Sequence, residues 1–142
     1  MTVAYFDSSA LVKLVIDEPG SDDAALLWDG ADAVVTSRVA HPEVRAALAA
    51  AHRDGRIDEE GHRVAKTEWE AFHQALRLVE LTSQLEADAG DLAERHALSG
   101  LDAIHLASAL TLTELSIIVA TWDARLLRAA QSAGLNSLPA QL

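Results

Sequence analysis

Short apolar runs alternate along this chain with longer segments of helical periodicity. Val3 to Phe6 reads as a buried strand, and Ser8 or Ser9 can then cap a helix through about Ile16. Glu18-Pro19-Gly20 is a turn signal. The helix that follows, from about Ser21 to Trp28, is led by Asp22 and Asp23, whose charge suits a helix N-terminus. Ala33 to Thr36 reads as a second buried strand. Pro42 falls in the first turn of the next helix, where its missing N–H is tolerated, and that helix stops near Asp54-Gly55 after Arg53.

Asp58 to Leu76 is amphipathic and helical, with Val64, Trp69, Phe72 and Leu76 as inward positions. Leu78 to Leu81 reads as a third strand. Thr82 or Ser83 caps the helix that carries Leu85, Ala89, Leu92 and Ala93, and Ser99-Gly100 breaks the chain before a helix around Asp102. Ser116 to Ala120 is a fourth strand, Ala124 to Ala133 a last long helix ended by Gly134, and Asn136 to Pro139 a short edge strand. Strands alternating with helices imply an α/β fold, its central, mostly parallel sheet of four to five strands flanked by helices on both faces. No repeat, linker or low-complexity segment interrupts this order, and 142 residues suit one domain, so residues 1–142 are read as a single unit.

Composition narrows the picture. Half the residues are hydrophobic, which excludes a disordered chain, and only 4% are aromatic, so Ala, Leu and Val must fill the interior. The absence of cysteine removes disulfides and thiolate zinc sites and fits a reducing cytoplasm. No basic leader opens the chain, and no apolar run approaches the roughly 20 residues that span a bilayer, so no membrane partner is expected. The formal charge of −11, from 11 Lys+Arg against 22 Asp+Glu, argues against a broad phosphate-binding surface. It favours a basic partner, or simply keeps the protein dissolved.

Four acids stand out because core-forming residues flank them. Asp7 ends the first apolar run, Asp123 follows the fourth, Asp102 opens the apolar helix Leu101 to Ala107, and Glu43 lies just past Pro42. A bare carboxylate is costly to bury unless it is paired or bound to metal. Ligands of open α/β sheets bind outside the carboxyl ends of the strands. This topology brings Asp7, Glu43 and Asp123 to one edge, and only Asp102 needs a helix start to reach it. Each acid alone reads equally well as a helix cap or a first-turn acid. Together they repel: two unit charges about 4 Å apart do so by roughly 4 kcal/mol at an effective dielectric near 20. Such a site takes up protons or binds cations, and hard oxygen ligands select Mg²⁺ or Mn²⁺. Ser9 and Thr121 can orient the carboxylates or a bound phosphate. His105, three residues after Asp102, reads as a hydrogen-bonded core histidine, and the other five histidines form no zinc pattern.

Asp7-Ser8-Ser9-Ala10-Leu11-Val12-Lys13 resembles the opening motif of PIN-domain ribonucleases, especially VapC-type toxins of bacterial toxin–antitoxin pairs. Ser37 to Val44, Leu101 to Ala107 and Thr121 to Leu126 resemble their later acidic motifs, in the same order. The resemblance implies a three-layer PIN-like fold and a Mg²⁺- or Mn²⁺-dependent endoribonuclease with Asp7, Glu43, Asp102 and Asp123 around the metals. It further implies a homodimer and a cognate antitoxin. Arg125 and Arg128 would then flank the cleft, free to hold RNA phosphates or to pair with helix carboxylates. Two other readings compete. Asp7-Ser8-Ser9 loosely fits the nucleophile motif of haloacid-dehalogenase-like phosphohydrolases, although a late lysine and a cap domain are missing. A non-catalytic module could instead use the acidic cleft to grip a basic peptide.

Overall fold

The computed structural model describes residues 1–142. The elements run β1 (Thr2–Phe6), α1 (Ser8–Val12), α2 (Ser21–Gly30), β2 (Ala33–Ser37), α3 (Ala40–Arg53) and α4 (Glu59–Ala75). They continue β3 (Arg77–Val79), α5 (Ser83–His96), α6 (Gly100–Leu110), β4 (Ser116–Ala120), α7 (Ala124–Ser132) and β5 (Asn136–Leu138). The five strands form one sheet in the order β3-β2-β1-β4-β5, and every pairing is parallel.

Period-2 alternation along β1 divides the interior. Val3 and Tyr5 pack with Leu85, Leu92, Leu106 and Leu126 from α5, α6 and α7. Ala4 and Phe6 face the other way, onto Leu11, Val44, Leu48 and Trp69 from α1, α3 and α4. The result is three layers, helix–sheet–helix, with β1 buried at the centre, as the α/β pattern predicts. The chain steps from β1 outward to β2 and β3, then crosses back to lay β4 on the other side of β1. The boundary between β1 and β4 is therefore the topological switch point, where open sheets leave a crevice at their carboxyl edge. No helix is long and apolar enough to cross a membrane.

Local differences from the sequence expectations have simple causes. The cap of α1 is Asp7 rather than Ser8 or Ser9, because its carboxylate already accepts the Ala10 amide. That helix ends at Val12 rather than Ile16; Leu14 and Val15 bond three residues back, so the last turn tightens. In α4 the inward stripe is Ala65, Trp69, Phe72 and Leu76, whereas Val64 is 39% exposed. Ala65 precedes Trp69 by one helical turn and takes the place expected of Val64. The third strand is shorter and starts earlier than Leu78 to Leu81.

Candidate active site

Strand β1 delivers Asp7 to the switch point. Phe6 pairs with Ala120, and the Asp7 amide extends the ladder by donating to the Ala120 carbonyl at 3.2 Å. The Asp7 side chain is almost wholly buried, at 2% exposure. Its Oδ1 accepts from Ser9 Oγ at 2.7 Å and from the Ala10 amide at 3.0 Å, and its Oδ2 accepts from Thr121 Oγ1 at 2.6 Å. The two hydroxyls also bind the strap that follows β4: Trp122 N donates to Ser9 Oγ at 2.9 Å, and Asp123 N to Thr121 Oγ1 at 3.1 Å. Asp7 and Asp123 are thus tied through a single threonine. Asp123 caps α7 by accepting the Leu126 amide at 3.0 Å, so its role as a helix start and its place beside Asp7 coexist.

Helix α6 carries Asp102 to the same edge. Its cap is Ser99, which accepts the Asp102 amide at 3.2 Å. Burial pushes the Asp102 carboxyl above the ordinary carboxylate range and the charges of Asp123 and Asp7 push it further, against the opposing pull of the Ser99 hydroxyl and the His105 ring. Burial likewise raises Asp7, opposed by the His105 ring, the Thr121 and Ser9 hydroxyls and the Ala10 amide.

Glu43 arrives from the opposite layer, in the first turn of α3. His105 Nε2 lies 2.6 Å from Glu43 Oε1, so a contact bridges the two helical layers over the carboxyl edge of the sheet. His105 Nδ1 is 2.7 Å from the hydroxyl of Tyr5, and both side chains are buried. A neutral ring with its proton on Nε2 satisfies both contacts: Tyr5 donates to Nδ1 and His105 donates to Glu43. Burial keeps the Tyr5 phenol far above its usual range and hence neutral. His105 is the core histidine expected from the sequence, but its link to Glu43 and its support from Tyr5 were not foreseen. The only sequence signal was its spacing from Asp102.

The strap residue Trp122 is held from a third direction. Gly20, at φ 96, lies so close that a Cβ there would stand 2.6 Å from the indole Nε1. Lys13 Nζ sits 5.1 Å from the ring centroid and also binds Glu18 at 3.0 Å and the Pro19 carbonyl at 2.7 Å. Arg125 and Arg128 lie on the exposed face of α7, and neither forms an ion pair.

The structure thus links Asp7, Asp102 and Asp123 by hydrogen bonds or mutual charge, and brings Glu43 to them through His105. No Lys or Arg pairs with any of the four, because the lysine and arginine ion pairs engage Glu18, Glu80 and Glu60. Neither do three or more Asp, Glu or His side chains close into a ready-made ion cage. A surface hollow of about 840 Å³ runs along charged residues of α4 and contains none of these acids. The donor set nonetheless suits a hard divalent ion: oxygen ligands, mutual repulsion and no competing cation.

The PIN domain family model matches residues 4–132. Ribonuclease VapC45 of Mycobacterium tuberculosis is 52% identical over 142 residues, 100% of this chain and 99% of that protein. The crystal structure of PAE2754 from Pyrobaculum aerophilum superposes with a TM-score of 0.69 at 18% identity, covering 98% of this chain and 85% of that one. Mycobacterium tuberculosis VapC20, described as a sarcin-ricin loop cleaving toxin, gives 0.65 at 20% identity, covering 93% and 95%. The family-model match over most of the chain and the identity along its full length to a VapC ribonuclease settle the family: the chain belongs to the PIN-domain proteins, in their VapC type.

Proposed function

We propose that this protein is a metal-dependent endoribonuclease, the toxin of a toxin–antitoxin pair, with Asp7, Glu43, Asp102 and Asp123 as ligands of Mg²⁺ or Mn²⁺. The carrying observation is the crowding of acids at the switch point: Asp7 is buried there, burial and the charges of Asp123 and Asp7 raise the Asp102 carboxyl, and no lysine or arginine pairs with any of the four. Full-length identity to a protein named a ribonuclease supports the reaction class.

Bound divalent ions would supply a water activated at neutral pH and a counter-charge for the leaving oxygen. The chain's own residues prepare that chemistry. Ser9 and Thr121 fix both oxygens of Asp7 and, through the Trp122 and Asp123 amides, set the strap beside it. His105 fixes one oxygen of Glu43 and leaves the other free. An acidic edge of this kind also suits an antitoxin segment bearing Arg or Lys. A homodimer, a cytoplasmic location and a single domain over residues 1–142 complete the reading.

The test is cleavage of total cellular RNA by purified protein with Mn²⁺ or Mg²⁺. Asp7→Asn, which keeps the Ala10 cap, should abolish cutting and retain the fold; Asp7→Ala also removes a helix cap worth about 1 kcal/mol. Cutting that continues undiminished in EDTA would refute the metal mechanism.

A further inference from the structure

The metal reading leaves unexplained how an acidic protein holds a polyanion. With 22 acids against 11 Lys+Arg, its surface repels RNA on average. One concave place departs from that average. A hollow of about 360 Å³ between the end of α5 and the outer face of α7 is lined by His96, Ala97, Arg125, Arg128, Ala129 and Ser132, with no carboxylate among them.

Its position matters as much as its charge. Arg125 follows the α7 cap Asp123 by two residues, and His96 ends the helix whose exit leads through Ser99 into Asp102. Both walls therefore continue directly into acids of the proposed centre. Arg128, one turn further along α7, extends the cationic wall about 5 Å away from them.

The other cations are committed or remote. Lys13, Arg38 and Arg63 are in ion pairs. Arg45 and Lys66 act on His62, between α3 and α4. Arg95 shares its hollow with Asp88 and Asp91. Arg77 opens β3, the outermost strand, two strands away from the β1–β4 boundary; Arg53 ends α3, at the far end from Glu43, and Arg56 lies in the turn just beyond it.

We infer that the His96–Arg125–Arg128 hollow is a backbone subsite for single-stranded RNA, holding phosphates next to the one that is cut. Arginine forks match phosphate oxygens in two-point contacts, and Ser132 and the His96 ring add further donors. Because only phosphates are read there, the subsite supplies affinity and strand direction without base preference. The inference rests on the nuclease reading for its ligand.

The test measures binding of fluorescein-labelled oligo(U) to full-length Asp7→Asn protein in EDTA, as a function of salt. Each phosphate contact on a single strand contributes about 0.7 to the slope of log affinity against log salt. Arg125→Gln with Arg128→Gln, both helix-compatible on an exposed face, should make the slope shallower by about 0.7 for each arginine. The paired lysine substitutions should restore most of it. Arg53→Gln with Arg56→Gln removes the same charge elsewhere and should leave the slope unchanged. An unaltered slope in the α7 variant, or an equal loss in the control, overturns the subsite. Wild-type cleavage with Mn²⁺ is scored separately. Absent cleavage with an α7-dependent slope would sink the nuclease reading and leave an anion site; normal cleavage with an α7-independent slope would do the reverse.

Discussion

Tyr5→Phe removes one oxygen from the centre of the protein and changes neither charge nor shape. Tyr5 is wholly buried, and its hydroxyl stands 2.7 Å from His105 Nδ1. Without it the Nδ1 lone pair is stranded away from water, a loss of about 1–3 kcal/mol for an unsatisfied buried group. At about 2–4 °C per kcal/mol for a chain of this size, Tm should fall by roughly 5 °C. The functional effect follows from the tautomer. Once Tyr5 no longer donates, a proton on Nδ1 is no longer disfavoured, and that tautomer points a bare Nε2 lone pair at Glu43 Oε1, 2.6 Å away. Glu43 would then swing free of its position over the sheet edge. Nitrogen NMR of the His105 ring reads the proton position directly, and turnover at saturating Mn²⁺ reads the consequence. The expected result is a mixed tautomer population and a kcat lowered several-fold, with KM for RNA little changed. Wild-type Tm, an undisturbed Nε2–H signal and normal kcat in Tyr5→Phe would together refute the relay.

Asp102→Asn relieves repulsion from Asp123 and Asp7, so the metal-free protein should be at least as stable as wild type by thermal denaturation while turnover is lost; a marked drop in metal-free Tm would mean that Asp102 is structural. Because Asp7 and Asp102 are both raised above their unfolded values, the folded protein binds these protons more readily than the unfolded chain. Their penalty is therefore present above the raised values and is relieved as pH falls through them toward the unfolded pKa of about 3.9. A metal-free Tm-against-pH curve should show that relief, weaker in Asp102→Asn, and added Mn²⁺ at neutral pH should reproduce it. Gly20→Ala combines left-handed strain with a clash against Trp122, whereas Gly134→Ala, at φ 86, meets nothing within 4 Å. Both should lose stability, but only Gly20→Ala should also lose turnover; equal turnover would show that Trp122 does not need this clamp.

What the sequence made legible was local pattern. The unbroken apolar runs Val3–Phe6 and Ile117–Ala120 marked two buried strands, and the acids at their ends followed from topology. Contacts between distant segments were not legible, because no local pattern encodes them. Tyr5 reads as one more apolar strand position, yet its hydroxyl faces a histidine a hundred residues away. The choice among Asp7, Ser8 and Ser9 as the cap stayed open for a related reason: Ser9 is committed to Asp7 and to Trp122, a partner that only the folded strap supplies. Val64 was misplaced because adjacent Val64 and Ala65 fit the same stripe until Trp69 fixes its phase. The hollow beside α7 was half visible, as Arg125 and Arg128, but His96 joins them only through tertiary packing.

The two rims of the sheet, β3 and β5, are only three residues each. Such stubs offer too few free amides and carbonyls to template another strand. Self-association by ladder extension is thereby discouraged, and the sheet is kept as an inner scaffold whose margins do not recruit further strands.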